Sequence, residues 1–102
     1  QLASVMRNTL REVDIICRYG GEEFCVMLPE SDPYGARQVA ERLRQAVEAN
    51  VFLYRETEIK VTISLGMSAF AGLNQNLDEL IERADKALMI SKQEGRNQVT
   101  QG

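Results

Sequence analysis

One short stretch gathers residue types that handle phosphates and hard cations. Arg18-Tyr19-Gly20-Gly21-Glu22-Glu23-Phe24 sets two carboxylates directly after a glycine pair. Glycine has no Cβ, so a ligand can come close to the backbone at such a turn. Adjacent carboxylates offer oxygens to a hard cation such as Mg2+, which usually binds proteins together with nucleotide phosphates. Read without further context, the same residues also make a solvated turn with charged shoulders. Near the end of the chain, Lys92 and Arg96 lie four residues apart on a helical pattern. That spacing puts two cations on one side of the helix, available to an anion or simply complementing the helix dipole.

The elements that must position these residues follow from pattern. Leu2, Val5, Met6 and Leu10 recur at helical spacing. Val13–Tyr19 and Glu22–Leu28 are two β-prone runs around Gly20-Gly21, which predicts a hairpin. A two-residue turn at Gly20-Gly21 sets Cys17 opposite Phe24. Pro29 ends the second strand, Asp32 is the expected N-cap and Pro33 suits a first helical turn. Ala36, Val39, Ala40, Leu43 and Val47 then form the apolar face of a helix over 33–49, with Arg37, Glu41, Arg44 and Glu48 on its polar face. Val51–Tyr54 is a short strand candidate. Ile59, Val61, Ile63, Leu65 and Met67 alternate with polar or small residues, the pattern of one strand with one buried face. Asn76 and Glu79 bracket a helix start. Leu80, Ile81, Ala84, Ala87, Leu88 and Ser91 form the inner face of that helix, Gly95 stops it, and residues 97–100 make a last strand. The order is that of an α+β fold, with helices packed around a mixed, mostly antiparallel sheet. Tyr19, Tyr34 and Phe52 are assigned to packing, since their spacing suggests no base platform.

With 102 residues the chain is at most one domain, spanning 1–102, and its 44% hydrophobic and 26% charged residues are ordinary globular composition. A net charge of -3 argues against nonspecific nucleic-acid binding but leaves a single nucleotide open. No run is long enough to span a bilayer, which predicts a soluble, cytoplasmic chain or the cytoplasmic part of a membrane-anchored receptor. Two cysteines, Cys17 and Cys25, do not make a disulfide framework and are expected to be buried thiols. The absence of histidine excludes His-based zinc sites and Ser-His catalysis.

Gly20-Gly21-Glu22-Glu23-Phe24 resembles the signature of the GGDEF domain, the bacterial module that makes cyclic di-GMP from two GTP. Arg18-Tyr19 before it and a strand ending in Pro29 after it are also like the family. So are Val61-Thr62-Ile63-Ser64-Leu65-Gly66 and Ala84-Asp85-Lys86-Ala87-Leu88 with Lys92, Gly95, Arg96 and Asn97. The resemblance covers nearly the whole chain and implies the palm-like fold of nucleotidyl cyclases. It implies that Gly20 and Gly21 line the GTP phosphates and that Glu22 holds Mg2+ (or Mn2+) and acts in catalysis. Glu23 then supports the metal, and Lys92 and Arg96 contact the triphosphate. Arg11-Glu12-Val13-Asp14 matches the RxxD site through which such enzymes bind their product, with Arg42 as a further arginine of that site. The bland alternative for Arg11 and Asp14 is a surface ion pair worth ~0–1 kcal/mol.

The resemblance also implies a homodimer, because each domain holds one GTP, and an upstream sensory or receiver domain. The family's first strand with its metal-binding Asp, and the helices bearing its guanine-binding residues, do not precede Gln1. A polypeptide of these residues alone is therefore expected to be inactive and not to persist as a stable monomer. The alternatives are a non-catalytic module that senses GTP or cyclic di-GMP, and an interaction domain with no ligand.

Overall fold

The computed structural model describes residues 2–20, 23–29, 31–69 and 76–102, and of residues 17–20 and 23 the backbone alone. The chain runs α1 (Leu2–Thr9), β1 (Ile15–Gly20), β2 (Glu23–Met27), α2 (Pro33–Ala49), β3 (Val51–Tyr54), β4 (Thr57–Lys60), β5 (Leu65–Met67), α3 (Leu77–Gln93) and β6 (Val99–Gln101). β1 pairs with β2 and β3 with β4, both antiparallel, whereas β5 and β6 pair in parallel. The parallel pair requires a crossover, and α3 supplies it.

Both long helices start as their sequences dictate. The Asp32 side chain accepts from the Gly35 N–H at 2.7 Å, and Pro33 follows at the first turn. The Asn76 side chain accepts from the Glu79 N–H at 2.8 Å. These side chains satisfy amide donors that have no partner within the helix. Gly95, at φ 115°, ends α3, and the Arg96 N–H reaches back to the Ser91 carbonyl at 2.9 Å. That is the six-to-one bond of a Schellman stop.

The core forms two layers on α2. Val39 and Leu43 pack with Met6 of α1 against Ile16, Phe24, Val26 and Leu28 of the hairpin and against Ile63 and Leu65. Ala40 packs with Met67 and Val99 across β5 and β6. On the other side of that ladder, α3 lies against Gly66, where an added Cβ would sit 2.1 Å from the Ala84 carbonyl oxygen and 2.2 Å from the Leu88 nitrogen. Only glycine permits this approach. Ser91, fully buried, donates to the Leu65 carbonyl at 2.8 Å and lies 2.7 Å from the Thr100 hydroxyl, so one side chain ties α3 to both strands.

Four expectations need correction. The single strand over 59–67 is two pieces, β4 and β5, with residues 61–64 outside any ladder. Alternation sets which face is buried, but a strand also needs a neighbour to bond to, and β4 finds β3 while β5 finds β6. Ile59 is accordingly exposed. In the first hairpin the last paired positions are Gly20 and Glu23, and a bulge between Arg18 and Gly20 shifts the register. Cys17 therefore stands opposite Cys25 rather than Phe24. Cys25 is half-buried rather than buried and takes no part in a disulfide. Tyr34, assigned to packing, is 73% exposed on the first turn of α2, where its hydroxyl accepts from Gln38 at 2.9 Å. Phe52 is buried as expected.

Candidate functional site

The glycine-carboxylate motif belongs to the first hairpin. β1 brings Gly20 and β2 brings Glu23 to the end of the ladder as paired positions. Gly21 and Glu22, which join them, lie outside the described residues, as does the Glu23 side chain. Phe24 turns inward from the next position and packs against the α1–α2 layer, which anchors this end of the ladder to the core. Among the described residues no three acidic, Cys or His side chains gather as a metal site. Two adjacent carboxylates at a turn still suit Mg2+, which commonly takes one or two protein carboxylates and fills its shell with phosphate oxygens and water.

Lys92 and Arg96 do not share a helix face. α3 ends at Gln93, so Lys92 lies in its last turn while Arg96 lies beyond the stop, at φ 65°. The i, i+4 argument fails because Gly95 reverses the chain between them. Both side chains are exposed. Arg96 makes no hydrogen bond or ion pair through its guanidinium among the described residues, whereas Arg7, Arg11, Arg37, Arg44 and Arg83 all bind the protein.

Arg11 and Asp14 do come together, and not as a surface pair. Asp14 is 2% exposed. Its carboxylate accepts from the Arg11 backbone N–H at 2.9 Å and from the Arg11 guanidinium at 3.2 and 3.4 Å. Burial alone would push its pKa up. The Arg11 backbone and side-chain hydrogen bonds, with the Arg11 and Arg7 charges, outweigh that and hold it below the usual aspartate value. Arg11 remains about half exposed, and its guanidinium also donates to Ser31 at 3.0 Å. Arg7, from the last turn of α1, braces the turn by donating to the carbonyls of Asp14, at 2.9 Å, and Arg11. Arg42 stands exposed on α2 and forms neither a hydrogen bond nor an ion pair with Arg11 or Asp14. Together with Tyr34, Arg37, Gln38 and Glu41 it lines an open hollow of about 550 Å³.

Sequence reading misses three supporting residues. Arg7 and Ser31 around the Arg11–Asp14 turn leave no signal, because both bond to groups that only the fold brings near. Helical spacing puts Arg44 on a solvated polar face, yet its side chain is only 16% exposed. It binds Glu41 at 3.0 Å, Glu48 at 3.4 Å and the Asn97 side-chain oxygen at 3.1 Å. The Glu41 hydrogen bond raises its pKa further, against the opposing effect of burial.

A fold of this topology, carrying a glycine-carboxylate hairpin tip and an Arg–Asp turn beside α1, defines a class that the comparisons identify. The family described as diguanylate cyclase, GGDEF domain, matches residues 1–98. The chain belongs to the GGDEF domain family. It is 44% identical over 100 residues to diguanylate cyclase A of Treponema denticola, an alignment covering 98% of this chain and 27% of that protein. It is 38% identical over 101 residues to the response regulator PleD of Caulobacter vibrioides, covering 97% of this chain and 22% of that one. Among solved structures, the GGDEF domain of DgcB from Caulobacter crescentus, in complex with c-di-GMP, superposes with a TM-score of 0.87 at 30% identity, covering 98% of this chain and 60% of that one. The diguanylate cyclase SiaD of Pseudomonas aeruginosa, in complex with its activator SiaC, gives a TM-score of 0.91 at 32% identity, covering 99% and 38% of the two chains. The chain thus spans about a quarter of the length of these curated relatives. No helix among the described residues is long and apolar enough to cross a membrane.

Proposed function

We propose that this domain is the catalytic part of a diguanylate cyclase, condensing two GTP into cyclic di-GMP. The observation that carries the reading is the family match over residues 1–98, with Gly20-Gly21-Glu22-Glu23-Phe24 straddling the end of the β1–β2 ladder. In this reading Gly20 and Gly21 let the triphosphate lie along the hairpin tip. Glu22 and Glu23 hold Mg2+ (or Mn2+), which supplies charge neutralisation across the phosphates when bound. Glu22 also takes the proton as the 3′-oxygen of one GTP attacks the α-phosphorus of the other. One P–O bond forms, the bond to pyrophosphate breaks, and the pair of steps closes the ring. Lys92 and Arg96 contact the triphosphate as point charge and planar fork. Each domain holds one GTP, so the working unit is a homodimer that acts in the cytoplasm and is driven by an upstream sensory or receiver domain.

The product binds back at Arg11, Asp14 and Arg42. Support comes from the Arg11–Asp14 turn, in which a buried carboxylate holds a half-exposed guanidinium ready for an anion. The same preformed turn favours a second reading, a module that binds cyclic di-GMP without making it. The two separate on one experiment with the full natural chain, GTP and Mg2+. Accumulating cyclic di-GMP supports the cyclase. Binding of cyclic di-GMP without turnover, lost in an Arg11→Ala, Asp14→Ala variant, supports the sensor.

A further inference from the structure

Three consecutive residues after α3 adopt the left-handed conformation: Gly95 at φ 115°, Arg96 at 65° and Asn97 at 48°. For glycine this is an ordinary helix stop. For Arg96 it costs about 1–2 kcal/mol, and such strain persists only where the surroundings over-determine it, whereas asparagine reaches this region more easily.

Here the surroundings converge on Asn97 from α2 and from the segment before β5. Its side-chain N–H donates to Glu48 of α2 at 2.7 Å, and its side-chain oxygen accepts from Arg44 of α2 at 3.1 Å. Its backbone N–H donates to the Ser64 hydroxyl, just before β5, at 3.1 Å. Arg44 is itself locked by Glu41 and Glu48. The backbone of Arg96 is held as well. Its N–H bonds the carbonyl of buried Ser91 at 2.9 Å, and its carbonyl accepts from Gln98 at 3.2 Å. The backbone of this arginine is thus tied on both sides while its guanidinium is exposed.

We infer that Asn97 is a positioning residue, which with Arg44 and Glu48 fixes the left-handed turn so that the Arg96 guanidinium is presented preorganised to the triphosphate of GTP. This rests on the cyclase reading above and deepens it. An arginine on a loose turn loses more freedom when it binds, so fixing its backbone beforehand turns that cost into affinity. A neutral amide fits this position, because its oxygen accepts from Arg44 while its nitrogen donates to Glu48. Aspartate carries no donor for Glu48.

The test uses the full natural chain with Mg2+, measuring KM for GTP and thermal melting of Asn97→Ala, Asn97→Gly, Arg96→Ala and the Arg96→Ala, Asn97→Ala pair. Asn97→Gly keeps a backbone that tolerates the left-handed turn, so it remains informative if Asn97→Ala folds poorly. Both Asn97 variants are expected to raise KM by about 10-fold, the low end for partners that orient a ligand. In the Arg96→Ala background the Asn97 change should add nothing further to KM. Multiplying effects in the pair, or a lowered melting temperature with KM unchanged, would overturn the proposal and leave Asn97 a structural tie. If Arg96→Ala alone leaves KM unchanged, the phosphate role of Arg96 fails, and the Asn97 proposal falls with it. That outcome is read from the Arg96 variant by itself.

Discussion

Among the described residues, two places put two non-glycine residues in a row into the left-handed region, and they do so for different reasons. Arg55 (φ 50°) and Glu56 (φ 69°) join β3 to β4, while Arg96 (φ 65°) and Asn97 (φ 48°) join α3 to β6. The first pair is the two-residue connection of a tight hairpin. Left-handed geometry there matches the twist of the flanking strands, so the ladder itself offsets the strain. Its side chains do little: Arg55 lies over the Tyr54 ring at 5.3 Å, and Leu53 and Tyr54 are exposed. The second pair has no hairpin to close. It is held by Arg44, Glu48, Ser64 and the carbonyl of buried Ser91 in the last turns of α3. The same backbone anomaly is thus local turn chemistry in one place and a built, cross-element support in the other. Only the hydrogen-bond partners tell them apart.

The comparison can be broken at three levels. The largest effect should come from the unit that carries the second turn. Gly66→Ala forces a Cβ into the backbone of α3 and should destabilise by about 3 kcal/mol or more in denaturant unfolding. A near-neutral result would mean that α3 is not seated on β5 as described.

An intermediate effect belongs to a third turn, held by charge instead of by a left-handed backbone. Asp14→Ala strands the Arg11 backbone N–H, removes the carboxylate partner of its guanidinium and should cost about 1–3 kcal/mol. The sign of the pH dependence follows from the depressed pKa of Asp14. Its contribution is fully present above the unfolded aspartate pKa of about 4, and is lost as pH falls through the lower folded value. Acid titration of stability should therefore be shallower for Asp14→Asn than for the parent.

The smallest effect is a gain. Replacing Arg55 by Asn and Glu56 by Gly supplies residues at ease in the left-handed region, and should raise stability by about 0.5–1 kcal/mol without altering any ligand affinity. A change in GTP affinity would contradict the assignment of that turn as local.

How much of this is legible depends on whether the deciding contact is near in sequence. The starts of α2 and α3 follow from Asp32, Pro33 and Asn76, the caps bonding amides three residues on. The stop at Gly95 is equally local. The GGDEF resemblance rests on contiguous motifs and is readable for that reason. The break in the 59–67 run is not, since alternation says nothing of which neighbour a strand will find. Nor is the bulge that sets Cys17 against Cys25, as Tyr19 carries no bulge signal of its own. Arg44 looks like a surface residue because its partner Asn97 lies 53 residues away. Lys92 and Arg96 fall on one helix face only when the spacing is extended past a stop that the sequence itself marks.

The cyclase reading depends on the carboxylate of Glu22, in the sequence between β1 and β2, and one measurement addresses it. Cyclic di-GMP formation from GTP and Mg2+ should be compared between the full natural chain and its Glu22→Gln variant, with folding checked by melting temperature. A loss of at least about 100-fold in turnover, with melting unchanged, is the predicted result. Turnover by Glu22→Gln within a few-fold of the parent would contradict the account.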